Sequence, residues 1–299
     1  MTTPQADLGF WTGSIDYTPS AANLGQLTPV SIPLGAVDGN GTAWLITKLT
    51  GWDSPDVQGG GVIAKSGDHG AFAAPQFYAA RALTLSVQAT ALTQALRDVA
   101  RAQLQQAVPV SDLAVFTYDE PVPKQVMVRR SGQIPETYPT LFDVVFSIVL
   151  IAPDPRKYSV EAYSPQVNAV DTVLVGAQVP FTVPVTLPPQ PSDSGAISAQ
   201  NHGTFESPPV ITITGPVTAP AVTNVTTGQT VSWSALTLGA DDVLVADFSV
   251  QETQLNGVFV PADLFSSWWM LPPGVSTIQM TGSAQPGSGM TLSYRDAWI

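Results

Sequence analysis

The chain has no cysteine. That excludes disulfides, thiolate metal sites and a cysteine nucleophile. Charge is scarce too: 11% of the 299 residues are charged, against roughly 25% in an average soluble domain. No hydrophobic run is long enough to cross a bilayer. The longest, Leu141 to Ala152, is broken by Asp143 and Ser147. The opening "MTTPQADLGFW" lacks a basic n-region and an apolar h-region, so no signal peptide is expected. Histidine occurs only at His69 and His202.

Positive charge is missing from the second half. Ten of the eleven Lys and Arg lie between Lys48 and Lys157, and the eleventh is Arg295. From Tyr158 onward the net charge is −9, and before it −3. A nucleic-acid binder would carry a basic stripe, and none is visible. Acidic surfaces repel phosphate, which would suit a conduit along which DNA slides without sticking. The chain is nevertheless 44% hydrophobic. Low charge without a membrane span points to a surface covered by other subunits, or to an extracellular style of β protein.

What is present reads as two domains of mostly β structure. "GTAWLITKLTGW" is a strand, and "DSPDVQGGGVIAKSGDHGAF" a long flexible loop. "RALTLSVQA" alternates, with Leu83, Leu85 and Val87 on one face. Thr90 is placed to cap a single helix, Ala91 to Ala107, closed by Pro109. Its apolar stripe is Leu92, Ala95, Leu96, Val99 and Ala102, so it should lie on a sheet with one face wet. "KQVMVRR" is a short strand with a basic end. "LFDVVFSIVLIA" puts Phe142, Val144, Phe146, Ile148 and Leu150 on one face and Val145 and Val149 on the other, as a central strand does.

Residues 159–200 are rich in Pro and Ser and nearly uncharged. They read as an extended linker, with the option of pairing as an edge strand where Pro is tolerated. Beyond it, Ile211 and Ile213 oppose Val210, Thr212 and Thr214. Leu244, Ala246, Phe248 and Val250 oppose Val243, Val245, Asp247 and Ser249. Asn256-Gly257 is a two-residue hairpin signal. Short strands at regular spacing with turn signals predict a β-sandwich. The expected organisation is 1–158 as one domain, 159–200 as linker and 201–299 as the sandwich.

An ordered set of motifs carries a resemblance. It comprises Asn201, Gly203 and Thr204, Pro209 to Pro216, Asn224, Thr227-Gly228, Trp268-Trp269, Leu271, Pro273-Gly274 and Arg295-Asp296-Ala297. Upstream lie a glycine-rich loop, the "RALTL" strand from Arg81 to Leu85, a helix, and a strand ending Ala152 to Ser159. Over nearly the whole chain this resembles the siphophage distal tail proteins, a tail-component family often labelled minor tail protein in actinobacterial phages. The resemblance implies a hexameric ring at the distal end of a long non-contractile tail. The first domain would form the ring, and the second, a galectin-like sandwich, would project outward. Expected partners are further copies of the chain, the tail tube protein, the tape measure protein and the tail-associated tip protein. The genome would pass through the lumen without specific binding. Assembly in the host cytoplasm and no membrane insertion complete the expectation. Two departures stand out: the uncharged 159–200 segment, and the long loop Asp53 to His69, which could form its own belt or arm.

No catalytic, cofactor-binding or metal-binding residue is assigned. His69, with Asp53, Asp56 and Asp68 nearby, matches no metal spacing and reads as an exposed loop histidine. "GGGVIAKSG" lacks the ending and the βα context of a phosphate loop. Trp268-Trp269 is the strongest case for a sugar platform, but adjacent strand residues point to opposite faces, so one should be core and the other surface or interface. Arg129-Arg130 with Lys124 forms a small basic cluster suited to a salt-bridged or inter-subunit place. Asn40-Gly41-Thr42 and Asn224-Val225-Thr226 fit the glycosylation sequon but read as turn residues. Beside a non-enzymatic ring subunit, two alternatives remain open. One is a carbohydrate-binding module that contacts the host wall; the other is a tail-tip hydrolase using His69 and His202.

Overall fold

The computed structural model describes residues 11–20, 28–168, 195–284 and 287–299. It is mainly β with one helix. Two compact units divide between Val160 and Glu161.

The first unit is built on one antiparallel sheet. Its strands run in the order Val30–Leu34, Gly13–Tyr17, Ala114–Tyr118, Lys124–Arg130, Asp143–Ala152, Arg81–Thr90, Ala43–Thr50 and Ala36–Val37. Asp143–Ala152 is central, as its two apolar faces predict. It pairs with Arg81–Thr90 along its whole length, from Asp143↔Thr90 to Ala152↔Arg81. Val144, Phe146, Ile148 and Leu150 are buried with Leu83, Leu85 and Val87, so the inward parity is as expected. Phe142 is not inward. It precedes the strand and is exposed, because Thr140 Oγ1 accepts from the backbone N–H groups of Phe142 and Asp143 and turns the chain there.

The helix spans Gln94–Ala107 and begins later than the spacing predicts. Thr93, not Thr90, is the cap; its hydroxyl accepts from Leu96 N–H at 3.2 Å. Thr90 is still strand, and its hydroxyl donates to Asp143 Oδ1 at 2.6 Å. The stripe is corrected with it. Ala100, Leu104 and Ala107 are buried, whereas Leu92 and Val99 are exposed. The true face lies about a third of a turn from the predicted one at about 100° per residue. Ala95, Leu96, Val99 and Ala102 also fit a helical period, but the sheet covers the neighbouring face of Ala100, Leu104 and Ala107.

The second unit is a two-sheet sandwich. One sheet orders Gln166–Asn168, Gly289–Ser293, Val210–Thr214, Val243–Asp247, Glu252–Leu255 and Val258–Phe259. The other orders Ala196–Asn201, Gly274–Ala284, Val217–Asn224 and Gln229–Ser232, with Thr237–Leu238 also pairing to Val217–Asn224. Ile211, Ile213, Leu244, Ala246 and Phe248 face Ile197, Val222, Trp233 and Ile278 in one core. Asn256-Gly257 makes the expected tight hairpin, both residues at positive φ. Val250 leaves the predicted inward set. Its strand stops at Asp247, whose Oδ1 accepts from Ser249 N–H and starts a turn, so Val250 is exposed. The stretch read as a linker contributes two edge strands to the sandwich, Gln166–Asn168 and Ala196–Asn201. Residues 169–194, which include its Pro-rich part, lie outside the described residues.

Side-chain amides and carboxylates tie the sandwich loops. Asn201 is buried. Its Nδ2 donates to the carbonyls of Phe205 and Leu271, and its Oδ1 accepts from Gly203 N–H and Ala297 N–H. Gly203 fits because a Cβ there would sit 1.8 Å from Ala297 O. Asp263 does the same for the 232–234 loop. Its oxygens accept from the Ser232 hydroxyl, the Ser234 N–H and the Ser234 hydroxyl.

Replacing Asn201 with Leu strands several buried backbone groups at once. The expected loss is about 2–4 kcal/mol, read as a lower denaturant midpoint of the sandwich transition. The second expectation concerns acid. Hydrogen bonds from Ser232 and Ser234 hold the Asp263 carboxyl below its ordinary range. A depressed carboxyl stabilises the fold above the unfolded value of about 3.9 and ceases to do so as pH falls through the folded value. Asp263→Asn should therefore lower Tm at neutral pH and flatten its decline below about pH 4, as measured by thermal melts across pH.

Candidate functional site

The segment read as a loop is partly ordered sheet. Val62–Ala64 and Ala71–Ala73 pair as a hairpin, with a bridge between Val57 and Tyr78 closer to its base. Gly67 and Gly70 take positive φ in the turn. The signal for this was available: β-branched Val62-Ile63 faces Phe72-Ala73 across a polar "KSGDHG" turn. The glycines drew attention to flexibility instead.

This arm has no core. Val62, Ile63, Phe72 and Phe77 are 62–72% exposed. An isolated two-stranded hairpin is marginal in water. A cluster of exposed apolar side chains on such an arm marks an interaction surface.

The base of the arm is firmly built. Gly51 ends the preceding strand at φ +85°, where a Cβ would lie 2.0 Å from Ala82 O. Arg81 opens the strand after the arm and is fully buried. Its NH1 donates to the carbonyls of Gly51 and Trp52, and its Nε to Pro155 O at 2.9 Å. Lys157 Nζ also donates to Trp52 O and sits 5.4 Å from the indole centroid. Burial pulls the pKa of both cations down, most directly by desolvation. Trp52 Nε1 donates to Glu120, which also pairs with Lys124. The sequence reading places Arg81 at the start of a motif strand and Lys124 in a basic cluster, but it gives no sign of this network; a lone Arg at a strand start carries no burial signal.

The histidines do not assemble a reactive set. His69 is exposed at the arm's turn and makes no ion pair with Asp53, Asp56 or Asp68. His202 belongs to the other unit. Its Nδ1 lies 3.1 Å from Asp296 Oδ2, and its backbone N–H donates to Asp296 Oδ1 at 2.8 Å. Tyr163 OH donates to the same carboxylate at 3.3 Å. This ties the sequence's "NHG" to its "RDA" and serves the fold. Among the described residues no group of three or more His, Asp and Glu is placed to hold a metal.

The tryptophans depart from the alternation argument. Residues 261–270 are not a strand, so the two rings need not point apart. Both pack on Phe248, at 4.9 Å for Trp268 and 4.5 Å for Trp269. Trp269 is buried and Trp268 half-buried. Beside them opens a cleft of about 350 Å³ lined also by Glu206, Thr227, Gln229 and Gln251. The Trp269 Nε1 is buried with no partner.

The basic cluster is not one cluster. Lys124 and Arg130 stand at opposite ends of a seven-residue strand, about 20 Å apart at strand rise. Lys124 is paired with Glu120. The sequon asparagines are turn residues. Asn40 N–H donates to Asp38 Oδ1, and Asn224, fully buried, accepts from Thr226 and Thr227 N–H.

Comparison with known proteins follows this geometry. Residues 202–298 match the family described as siphovirus-type tail component, C-terminal domain. No curated protein matches the chain in sequence. Among solved structures, the SPP1 Dit (gp 19.1) protein superposes with a TM-score of 0.59 at 14% identity, covering 86% of this chain and 94% of that one. A chain of the phage P2 baseplate in its activated conformation gives 0.54 at 8% identity, covering 95% and 98%. The chain thus shares the fold of the SPP1 Dit protein, and its residues 202–298 match the C-terminal domain of siphovirus-type tail components.

Proposed function

We propose that the chain is a structural subunit of the virion, forming a hexameric ring at the distal end of a long non-contractile tail. It does no bond chemistry. The first unit closes the ring, and the second, a galectin-like sandwich, projects from it. The ring joins the tube protein and tape measure protein to the tail-associated tip protein. The genome passes through its lumen without specific binding, and assembly takes place in the host cytoplasm.

The observation that carries this reading is the apolar arm at residues 57–78, uncovered on the single chain yet rooted in a rigid base. A specific, stable interface buries about 1,200 Å² or more in total, and a neighbour that covers the arm would supply apolar area toward it. Cyclic closure also satisfies exposed strand edges. The fold likeness supports the same reading. The SPP1 protein is described as a paradigm of the hub adsorption apparatus of phages that infect Gram-positive hosts. The acidic balance, net −12, fits a channel that releases DNA.

The cleft beside Trp268 favours a second reading, contact with a host-wall saccharide. An aromatic face with amide and carboxylate groups around it is suitable chemistry for a sugar ring, and the unpartnered Trp269 Nε1 is a donor in need of an acceptor.

Two measurements separate these readings. The purified chain should sediment at six times its 31.4 kDa mass. Phe72→Asp should reduce it to the monomer while moving Tm by no more than about 2 °C. A wild-type chain that stays monomeric, and is absent from purified tail tips, would sink the ring. For the saccharide reading, titration calorimetry of the whole chain against host-wall oligosaccharides should give saturable heat. Gln251→Ala should then weaken binding roughly tenfold, about one hydrogen bond's worth. No heat with any wall oligosaccharide removes that reading.

A further inference from the structure

In the first unit, beside the helix residues Arg101 and Gln105, lies a cleft of about 510 Å³. It is lined also by Arg130, Gln133, Ile134 and Glu136. Its two arginines differ in kind. Arg101 Nε donates to Glu136 Oε2 at 2.7 Å. Glu136 accepts as well from Tyr138 OH at 2.7 Å and from Gln105 Nε2 at 3.1 Å. Burial alone would raise its pKa, but these donors, Arg101 foremost, hold it below the usual carboxylate range. Its charge is committed to Arg101.

Arg130 has no such counter-charge. Among the described residues its guanidinium makes no hydrogen bond and no ion pair, and its Nε is buried. Register explains the placement. Val126 and Val128 point to the core, and Arg130 follows with the same parity at the end of the strand. Its side chain therefore leaves on the core side, half-buried, and lines the cleft. A buried guanidinium donor without an acceptor is strongly disfavoured.

The missing group is an anion, since the guanidinium fork suits a carboxylate or a phosphate. The surroundings choose between them. A nucleic-acid strand presents a phosphate about every 3.4 Å and needs a row of cations. This cleft offers one unpaired guanidinium beside the Glu136 carboxylate. Each copy of the chain, by contrast, carries 23 acids against 11 bases. Copies of the chain are therefore a ready source of carboxylates in excess.

We propose that this cleft receives an acidic side chain from a second copy of the chain, with Arg130 as the receiving cation. The proposal rests on the ring reading and names one of its contacts. It is tested by sedimentation over a concentration series of the full chain and its Arg130→Gln, Arg130→Glu and Arg130→Lys variants. Thermal melts check that each is folded. Arg130→Gln should weaken self-association by about tenfold or more, Arg130→Glu should weaken it further, and Arg130→Lys should stay within about threefold of wild type. A folded Arg130→Glu chain that assembles as tightly as wild type overturns the site and leaves the ring standing. A monomeric wild type defeats both the ring and the second copy as occupant. A parallel NMR titration of the wild-type chain with acetate follows the Arg130 Nε–H signal. A saturable shift of that signal, with the Nε–H signals of arginines outside the cleft unmoved, supports the anion site, and no shift overturns it whichever variants fold. Binding of a DNA duplex that Arg130→Gln abolishes would assign the cleft to phosphate and overturn the proposal.

Discussion

The first unit depends on one buried cation. Arg81 sits where three segments meet: the end of the strand before the arm, the start of the strand after it, and the chain leaving the central strand. Its guanidinium gathers the carbonyls of Gly51, Trp52 and Pro155. A guanidinium taken out of water is tolerated only when hydrogen-bonded and compensated, and Asp53 and Asp154 act on it from outside with favourable sign. The same residue begins the register that ends at Thr90↔Asp143. A slip of one residue would turn Leu83, Leu85 and Val87 outward. Fixing Arg81 under Gly51 and Pro155 opposes that slip, and it also fixes the point from which the arm departs.

The second unit solves the same problem with neutral groups. Asn201 meets four backbone groups with one amide, and Asp263 ties a loop through serine donors. This is how a chain with so few charges keeps its loops ordered. Hydrogen-bonded amides and hydroxyls satisfy buried backbone without long-range fields. The regular parity of the strands then leaves one continuous core between the two sheets.

Legibility followed from how local each signal is. Strand parity was readable at Leu83, Leu85, Val87, Val144, Phe146, Ile211 and Ile213, because a period of two survives in any register. The Asn256-Gly257 turn was readable because its chemistry is contained in two residues. Failures came at boundaries and at long range. Phe142 and Val250 were carried too far by a pattern that Thr140 and Asp247 interrupt with side-chain hydrogen bonds. The helix face was misplaced because its small and apolar residues fit two adjacent faces, and only tertiary packing selects Ala100, Leu104 and Ala107. Trp268-Trp269 divides as expected into a core ring, Trp269, and a half-exposed one, Trp268, although the segment is not the strand that the alternation rule assumes. Arg81 and Asn201 could not be seen as hubs, since the partners that tie them to other segments, such as Pro155, Leu271 and Ala297, lie tens of residues away in sequence. Lys124 and Arg130 looked clustered only because sequence distance hides the length of an extended strand.

The arm and the cleft near Arg130 share a logic. Each leaves one kind of surface unfinished on the single chain: apolar side chains without a core in the first, and a buried guanidinium nitrogen without an acceptor in the second. Elsewhere in the first unit the Arg81 NH2 is also buried without a partner, but that guanidinium is held by three carbonyls through its other nitrogens, as Arg130's is not. The unit's inward residues are packed to near-zero exposure, and Lys124, Arg101 and Arg97 each have an acidic partner. Unfinished surfaces beside so complete a core mark where a second molecule supplies what folding alone does not. An apolar arm gives contact area with little direction, whereas a single ion pair gives little area but fixes register. Used together, the two would let one copy find the next and then hold it at one angle, which is what a closed ring requires.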